Sequence, residues 1–477
     1  MPALAMPRYD RTAVSPGIVH LGVGAFHRAH QAYYLDELMA QGEARGWGIL
    51  GVGIMPEDAA MRDALTAQDG LYTVIVKAPS GAWRARVIGS MVGYLYGPDD
   101  PARVVAAMAD PAIRIVSLTI TEGGYNFDQV TGQFIEDEPG VAAEVAGGAP
   151  TTVFGYLYSS LCRRKALGIR PFTVMSCDNI QDNGAVARRA LIAYAKLRDE
   201  AMADWIAVHV HFPSSMVDRI TPRTTQQDII DCRERYGVDD RCPVVTEEFT
   251  QWVLLDDFPT GRPPYERVGV QLVGDVEPYE LMKLRLLNAS HQGLAYFAHL
   301  AGYGLVHEAA QDPLIAAFLT AYMDQEASPT LRPVPGVDLA AYKRTLIDRF
   351  SNEQVRDTVA RLAAESSDRI PKWLLPVVRD QLRDGGQVRL SAAIVASWAR
   401  YAEGVDESGQ PITIVDNAED QVRAAARAQE SDPLAFLRQE RFFGDLIDYP
   451  SFTTPYLDTL DSLHRIGSSA TLRNLVT

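Results

Sequence analysis

The first half of the chain alternates short β-rich runs with helical stretches, and this feature restricts its fold more than any other. Apolar runs of strand length are GIVHLGVGAF, IRIVSLTIT and RPFTVMSCDN. Strands that alternate with helices build a parallel sheet whose faces the helices cover. Beyond about residue 278, helical periodicity dominates. The sequence therefore predicts an α/β domain over residues 1–278 and a mostly α-helical domain over residues 279–477.

Further stretches of the α/β part are predicted to be strands. LYTVIVKA and ARVIGSMVGYLY alternate in polarity and are separated by a Ser-Gly turn, which indicates an antiparallel or mixed excursion from the parallel pattern. WIAVHVHFPSS is predicted to form a strand after a long helix. VTEEFTQWVL and RPPYERVGVQLVGD are predicted to supply strands near residue 270.

Length and charge limit the partners of the chain. With 477 residues it is long enough for about two to four domains. Its formal net charge of −16 argues against nucleic acid, which attracts a basic surface, and against an anionic membrane surface. A small molecule is therefore the expected partner.

The amino terminus and the cysteines are typical of a cytoplasmic protein. MPALAMPRYDRTAV lacks the apolar core of a signal peptide, and no uncharged apolar run of roughly 18 residues predicts a membrane span. The four cysteines form no CxxC pair and the nine histidines no HExxH motif, so we expect neither a zinc site nor metal catalysis. Reduced thiols fit the cytoplasm.

Two glycines mark a candidate nucleotide-binding turn. Gly22 and Gly24 in HLGVGAFHRAH follow an apolar strand and precede a helix. In a dinucleotide-binding unit the first glycine makes the turn, and the second lets the backbone approach the pyrophosphate at the helix start. His27 stands where the third glycine is usual, so this stretch alone also fits a strand–helix turn without a ligand.

Acidic residues after the second strand favour NAD over NADP. Glu57 and Asp58 follow WGILGVGI closely, and an acid there can bind the ribose hydroxyls of the adenosine. No arginine or lysine lies within MPEDAAM to take a 2′-phosphate. Capping of the next helix is the alternative role for both acids, and which of the two would contact the ribose stays open.

Polar residues interrupt the otherwise apolar helix KLRLLNASHQ. On an ideal α-helix with Lys283 at zero, Glu280 and His291 fall at roughly 60° and 80°, and Asn288 at roughly 140°. Buried polar groups need partners, and the simplest explanation is that each one bonds a neighbouring loop. A buried lysine is rarer, however, because burial disfavours the charged ammonium and suits the group to act as a base.

The polar arc of this helix therefore fits a site for an alcohol. Lys283 would take the hydroxyl proton, and the amide of Asn288 would steady the developing oxyanion. Glu280 would relay the proton to solvent or form an ion pair with Lys283.

Several motifs resemble those of the polyol-specific long-chain dehydrogenases. Lys283-x4-Asn288-x2-His291 resembles the catalytic helix of that family. GVGAFHRAH resembles its variant cofactor turn, with Phe26 and Arg28 where the generic fingerprint continues. The stretches FPSSMVDRITP, SLTITEGGY, SCDN, VTEEFTQWV and DPLAFLRQERFFGDL are similar to further family blocks, so the resemblance covers essentially the whole chain.

The resemblance implies a Rossmann-type amino-terminal domain, metal-free hydride transfer to NAD and a role for each motif residue. Lys283 is the implied general base, and Asn179 and Asn288 are implied to hold the alkoxide. His291 is implied to orient the substrate and to donate a hydrogen bond to it. Glu280 is implied to gate proton exchange with water.

The implied ligand contacts lie in other segments. Asp218 is implied to contact substrate hydroxyls and Arg361 the polyol chain, whereas Arg219 is expected to be structural. Salt bridges that anchor a loop are the alternative for Asp218 and Arg219. Glu122, expected on the cofactor side, falls like Asn179 just after a strand, where ligands collect on open α/β sheets, although turn capping is frequent there.

The implied reaction is the oxidation of D-mannitol at C2 to D-fructose, with hydride passing to NAD. D-arabinitol and D-sorbitol are alternative substrates within the family. A fructuronate or tagaturonate reductase is another, since Arg361 or Arg369 could pair a carboxylate. A non-catalytic nucleotide-sensing protein is the alternative from another class. The resemblance also implies a monomer, as for many long-chain members.

Overall fold

The computed structural model describes residues 4–128 and 132–477, which form two compact units. Met1–Glu277 is called the α/β unit and Pro278–Thr477 the helical unit. The described strands are Leu4–Ala5 (β1), Pro16–Leu21 (β2), Gly48–Gly53 (β3), Tyr72–Lys77 (β4), Trp83–Ile88 (β5), Met91–Tyr96 (β6), Ile115–Leu118 (β7), Thr173–Ser176 (β8), Ser215–Asp218 (β9), Val244–Glu247 (β10), Gln251–Leu255 (β11) and Gln271–Val273 (β12).

The described α-helices fall into two sets. Those of the α/β unit are Ala25–Ala29 (α1), Gln31–Ala40 (α2), Ala59–Ala67 (α3), Pro101–Met108 (α4), Pro139–Val145 (α5), Val153–Ala166 (α6), Asn183–Arg198 (α7), Glu200–His209 (α8) and Gln226–Tyr236 (α9). From the unit boundary onward they are Glu277–Met282 (α10), Ala289–Leu300 (α11), Val306–Ala310 (α12), Pro313–Tyr322 (α13), Leu339–Phe350 (α14), Val359–Ala363 (α15), Ser366–Trp373 (α16), Leu375–Asp384 (α17), Arg389–Ala402 (α18), Glu419–Ala428 (α19), Glu440–Phe443 (α20) and Pro450–Val476 (α21).

A five-stranded sheet forms the centre of the α/β unit. Its strand order is β6-β3-β2-β7-β8, and every neighbouring pair is parallel. The chain places β3 on one side of β2 and β7 on the other, so the strand order reverses between β2 and β7. Open α/β sheets bind their ligands at the carboxyl ends of strands at such a point. The predicted fold class, a Rossmann-type domain followed by a mostly helical one, is confirmed.

Both faces of this sheet are buried, as parallel sheets require. Val19, Val116 and Val174 belong to one core, which contains residues of α4, α6 and α7. Ile18 and Ile115 belong to the core on the other face, which contains residues of α2 and α3. Successive side chains of a strand point to opposite faces, so adjacent apolar residues fill both cores. Burial of this surface stabilises the unit by about 25 cal/mol per Å² of apolar area.

The excursion predicted from LYTVIVKA and ARVIGSMVGYLY is confirmed, but its second run is divided between two sheets. β4 and β5 pair antiparallel within a sheet of order β1-β5-β4-β10. The turn that joins them contains Gly81 at φ +80°. β6 instead joins β3 in the parallel sheet. Between β5 and β6 the Ser90 hydroxyl donates to the Ala32 carbonyl oxygen at 2.7 Å.

The strand predicted in WIAVHVHFPSS is wrong, because the first five residues of that stretch are helical and the next five are irregular. It belongs to α8 up to His209, and β9 begins six residues later. Asp199 caps α8 by accepting from two backbone N–H groups of the first turn. Met202 and Ile206, four residues apart, are buried, whereas Val208 is 73% exposed. Burial at helical spacing outweighed the β-branched residues. The strands predicted near residue 270 are confirmed as β10, β11 and β12.

Helix α18 forms the centre of the helical unit. Its residues are buried almost all round, and it packs against α11 and α21. The carboxylate of Glu326 lies at its amino-terminal end and accepts from the N–H groups of Leu390 and Ser391 at 2.6 and 2.8 Å. A carboxylate there satisfies orphan donors and complements the helix dipole. Helix α11, which carries His291, thus packs against the buried centre of this unit.

Candidate functional site

The glycine turn after β2 requires glycine at one position and leaves open space at the other. Gly22 has φ +90°, and a Cβ there would lie 2.0 Å from the Thr119 carbonyl oxygen. Gly24 is the N-cap of α1, and the nearest heavy atom to its Cβ position, the Gly22 carbonyl oxygen, is 4.0 Å away. The backbone at Gly24 therefore remains accessible to a ligand, as a pyrophosphate-binding turn requires.

His27, at the position of the usual third glycine, lies in the core. Its ring stacks on that of His20 with centroids 3.3 Å apart. His20 contacts the hydroxyls of Ser117 and Thr119 at 2.8 and 2.9 Å. Burial lowers the pKa of His20 to about 3 and also lowers the pKa of His27, so both rings are neutral at pH 7. The stack replaces the close helix–strand packing that a third glycine provides.

The other predicted residues of this turn contact the protein itself. The Phe26 ring packs on His30 with centroids 4.8 Å apart. The buried guanidinium of Arg28 donates to the carbonyl oxygens of Gly24, at 3.3 Å, and Cys242. Arg28 thereby ties the turn to the segment that leads into β10. The Arg28 side chain therefore supports the turn from within the protein.

The two acids after β3 have different environments. Asp58 folds back over its own turn, and one carboxylate oxygen accepts from the N–H groups of Ile54 and Met55 at 2.9 and 3.0 Å. Glu57 is exposed. Capping, the alternative role considered for both acids, is thus what Asp58 performs in the structure.

Glu122 and Asn179 follow β7 and β8 at the carboxyl edge of the parallel sheet. Glu122 is half-buried and begins a short 3₁₀ turn, Glu122–Tyr125. Asn179 is exposed and directly follows the buried Asp178. The Asp178 carboxylate accepts from the backbone of the segment that leaves β7, including the N–H of Thr121 at 2.8 Å. The sequence did not predict a role for Asp178, although this residue belongs to the SCDN motif.

Asp218 ends β9 and is buried beside the structural Arg219. Arg219 donates to the carbonyl oxygens of Ala29 and Glu247. Glu247 in turn accepts from the N–H of Ile220 at 2.6 Å. The predicted structural role of Arg219 is confirmed, because its guanidinium joins the end of β9 to α1 and β10.

The catalytic candidates of the helical unit lie on one continuous helical run. Glu280, Lys283, Asn288 and His291 are all at most 9% exposed. Lys283–Asn288 is a π-helix between α10 and α11, and the Ala289 N–H donates to the carbonyl five residues back, that of Leu284. π-Turns inside α-helices occur frequently at functional sites.

This π-helix corrects the angles that an ideal α-helix predicts. The roughly 140° between Lys283 and Asn288 assumed i→i−4 bonding throughout. A turn with i→i−5 bonding holds more residues than one with i→i−4 bonding, so residues five apart return closer to the same face. Lys283 and Asn288 are five apart, so the π-turn brings them closer to one face than the sequence predicted.

His291 is neutral because of its surroundings. Burial lowers the pKa of its imidazole well below the usual value, and the positive charges of Arg361, Arg349, Arg369 and Lys283 lower it further. Its ring packs against Phe350 with centroids 4.5 Å apart. A neutral imidazole has one N–H donor and one acceptor nitrogen, which suits it to bind a hydroxyl.

Arg361 lies within electrostatic reach of His291 and is held by its own segment. Asp357 receives its guanidinium through two hydrogen bonds, one of 2.6 Å. Arg369 donates to the Arg361 and Leu362 carbonyl oxygens, both at 3.1 Å. Gln292, next to His291, also donates to the Leu362 carbonyl, at 3.1 Å. The sequence did not predict a role for Gln292. The one signal that could have indicated it is its position directly after His291.

The structure thus brings the candidates together in two groups. Within the α/β unit, Gly22, Glu122 and Asn179 follow β2, β7 and β8 at one sheet edge. Within the helical unit, Lys283 and Arg361 both lie near His291. Over residues 4–128 and 132–477, no group of three or more His, Cys, Asp or Glu side chains is arranged to hold a metal ion. In the same part of the chain, no helix is both long and apolar enough to cross a bilayer.

Comparison with known proteins identifies the family. Residues 16–267 match the model of the mannitol dehydrogenase Rossmann domain, and residues 275–464 match that of the mannitol dehydrogenase C-terminal domain. The chain belongs to the mannitol dehydrogenase family. A curated relative, the mannitol 2-dehydrogenase of Phaeosphaeria nodorum, is 45% identical over 98% of this chain and 83% of its own length.

Solved structures of the mannitol dehydrogenase family agree with the fold. The chain is similar to Pseudomonas fluorescens mannitol 2-dehydrogenase in ternary complex with NAD and D-mannitol, with a TM-score of 0.92 and 44% identity over 100% of this chain and 97% of that one. It is also similar to a D-sorbitol dehydrogenase in substrate-free form, with a TM-score of 0.90 and 37% identity over 99% and 98% of the two chains.

Proposed function

We propose that this member of the mannitol dehydrogenase family is an NAD-dependent polyol dehydrogenase that interconverts D-mannitol and D-fructose by hydride transfer at C2. The observation that carries the proposal is the 44% identity, over the whole chain, to a mannitol 2-dehydrogenase that binds NAD and D-mannitol. The neutral, buried His291 and the π-helix that carries Lys283 and Asn288 support it.

The glycine turn fits NAD, which supplies the hydride acceptor when it is bound. Open space at Gly24 leaves the backbone accessible to the pyrophosphate. Glu57 binds the ribose of the adenosine, because Asp58 is occupied by the backbone of its own turn. The remaining residues that we assign to the cofactor site are Gly22, Phe26, Arg28 and Glu122, of which Gly22 and Arg28 shape the turn from within the protein.

The residues of the helical unit handle the proton of the substrate hydroxyl. Lys283 takes this proton from the oxygen at C2, and Glu280 passes it to water. Asn288 and Asn179 donate hydrogen bonds to the oxygen as its negative charge develops. His291 orients the same oxygen through its single N–H.

The polyol chain is bound by side chains at a distance from the reacting carbon. Asp218 accepts from substrate hydroxyls, since a buried carboxylate is a strong acceptor. Arg361 donates to hydroxyls further along the chain, with its guanidinium oriented by Asp357. A neutral substrate suits this arrangement, because Asp357 already neutralises the charge of Arg361.

Two alternatives within the family are favoured by specific observations. D-sorbitol is supported by the 0.90 TM-score to a D-sorbitol dehydrogenase. A uronate is supported by the three arginines whose charges reach His291. Initial rates with D-mannitol, D-sorbitol and D-arabinitol plus NAD or NADP, and with D-fructose, fructuronate and tagaturonate plus NADH, separate them. Turnover of a uronate without turnover of fructose would reject the mannitol assignment.

Replacement of Lys283 tests the proposed base. We expect Lys283→Ala to lower kcat for D-mannitol by about 10²- to 10⁴-fold, the usual contribution of a general base. Small primary amines added to the solution should restore part of the rate. Lys343→Ala is the matched control in the same unit, because this lysine forms an ion pair with Asp324 and has no proposed role in the reaction. A Lys283→Ala enzyme with the wild-type rate at neutral pH would refute the role.

A further inference from the structure

Asp178 connects the ends of two neighbouring strands at the edge of the parallel sheet. It lies two residues after β8 and is 7% exposed. Its carboxylate accepts from the N–H groups of Ile120 and Thr121, at 3.1 and 2.8 Å, in the segment that leaves β7. The hydroxyl of Tyr125 donates to it as well, at 2.7 Å. The side chain is therefore fully engaged by backbone and hydroxyl donors of the adjacent segment.

The segment that Asp178 holds has a backbone conformation that needs support. Thr121 has φ +61° and ψ 172°, a region that residues other than glycine rarely adopt. Such a conformation persists only when the surrounding structure imposes it. The hydrogen bond from the Thr121 N–H to Asp178 supplies this constraint. Glu122, the next residue, takes its position from it.

The backbone of Asp178 is fixed with equal firmness. Its N–H donates to the Ser176 hydroxyl at 3.2 Å, and its carbonyl accepts from the Asn183 amide at 3.0 Å. Asn183 also donates to the Ser215 carbonyl at 2.7 Å. Asn179 follows directly, so the exposed side chain of Asn179 projects from an anchored residue.

We propose that Asp178 is a positioning residue that fixes Asn179 and Glu122 relative to each other at the edge of the sheet. This inference rests on the proposed function, because it matters for catalysis only if Asn179 contacts the reacting oxygen. An amide that stabilises an oxyanion must be held accurately, since a misplacement of about 1 Å costs about 10²-fold in rate.

The hydrogen bonds of the Asp178 carboxylate to Ile120, Thr121 and Tyr125, called the clamp, should depend on pH. Burial raises the pKa of its carboxyl group to about 6, against the lowering effect of its hydrogen bonds with Tyr125, Ile120 and Thr121. The titratable groups beside it are Glu122 and Tyr125 in the segment that follows β7, and Cys177, which precedes it in the chain. Protonation converts one carboxylate oxygen into a hydroxyl, which is a weaker acceptor for a backbone N–H. The clamp should therefore loosen as the pH falls through about 6.

The decisive experiment is a double-mutant cycle on the full-length enzyme. In Asp178→Asn one oxygen becomes an NH₂ group, and we expect kcat for D-mannitol to fall by about 10²-fold. In an Asn179→Ala background the same change should lower kcat by less than about 3-fold, because residues that act as a unit are not additive. Glu144→Gln is the matched control, since Glu144 is a buried carboxylate that accepts from the consecutive N–H groups of Thr151 and Thr152. Its kcat should be that of the wild type.

The outcomes separate this inference from the function on which it rests. If Asn179→Ala turns over at the wild-type rate, the proposed role of Asn179 fails and the inference with it. If Asn179→Ala is impaired but Asp178→Asn lowers kcat equally in both backgrounds, only the inference fails. If Asp178→Asn does not fold, Tyr125→Phe takes its place: loss of a bond that favours the carboxylate should move the acidic limb of kcat to higher pH. An unmoved limb would overturn the inference.

Discussion

At the scale of single residues, the two glycines of the turn are needed for different reasons, one for the fold and the other for the proposed cofactor binding. Gly22 is fixed by its φ of +90° and by the Thr119 carbonyl oxygen 2.0 Å from its Cβ position. Gly24 has an ordinary φ of −87° and no such contact. The two glycines of one motif therefore serve different ends.

Alanine substitutions should distinguish these two requirements. Gly22→Ala is expected to lower the free energy of unfolding by at least about 2 kcal/mol, because it adds both strain and a backbone clash. Gly24→Ala is expected to change stability by less than about 0.5 kcal/mol but to weaken NAD binding, because the methyl group fills the pyrophosphate approach. Urea denaturation and fluorescence titration with NADH measure the two effects. Equal stability losses in both variants would contradict this division.

Residue roles were predictable where covalent geometry decides them. Gly22 could be identified because only glycine adopts a positive φ freely at a strand–helix turn. The choice between Glu57 and Asp58 could not be made, because it depends on the Asp58 carboxylate folding back onto the Ile54 and Met55 N–H groups. Asp178 was not identified either, since its partners lie more than 50 residues away in sequence.

At the scale of elements, burial was easier to predict than helix type. The apolar pattern of KLRLLNASHQ correctly indicated a buried helix, and its residues are buried in the structure. The π-helix Lys283–Asn288 leaves no periodic signal of its own, because one added residue per turn is tolerated only where neighbouring helices accommodate it. A second π-helix, Met323–Ala327, packs against it. The same limit explains the wrong strand at α8, where tertiary burial outweighed local propensity.

The Arg361 segment is fastened to the catalytic helix by a buried hydrogen-bond chain. The Gln292 amide donates to the Leu362 carbonyl at 3.1 Å, and its oxygen accepts from the Tyr296 hydroxyl. We expect Gln292→Leu to raise KM for D-mannitol by about 10-fold with a smaller change in kcat, because a lost buried hydrogen bond is worth about 1 to 1.5 kcal/mol. KM for NAD should not change.

A glutamine with the same contacts elsewhere provides the control for this variant. Gln429 donates to the Ala426 carbonyl at 3.0 Å and accepts from the Tyr456 hydroxyl. Gln429→Leu should cost similar stability but leave both KM values unchanged. If the two variants raise KM for D-mannitol equally, the effect is general destabilisation and Gln292 does not position Arg361.

At the scale of the whole molecule, the two units follow from a change in periodicity that the sequence displays. Strand–helix alternation ends near residue 278, and the α/β unit ends at Glu277. The proposed cofactor residues all belong to the α/β unit, and the proposed base to the helical unit. Each unit also buries neutral imidazoles: His20 and His27 in the first, His291 in the second. These rings couple the stability of the molecule to pH.

The stability of the whole molecule should fall as the medium is acidified below about pH 6.5, the usual pKa of histidine. In the unfolded chain each ring takes up a proton there, whereas burial lowers the pKa of His20 to about 3 and keeps His27 and His291 neutral when folded. Stability is thus complete above about pH 6.5 and decreases below it, by about 1.4 kcal/mol per histidine for each pH unit.

Buried carboxyl groups oppose this trend, because burial raises the pKa of Asp178 and of Glu326. The pKa of Asp178 is raised by burial to about 6, so between its unfolded pKa and about 6 its protonation favours the folded state. Three histidines that stay neutral when folded outweigh these carboxyl groups, and we expect the urea midpoint to decrease from pH 7.5 to pH 5.5. His27→Leu, which removes one buried imidazole, should decrease less steeply over the same range. A midpoint that stays constant or rises on acidification would mean that these rings carry protons in the folded protein.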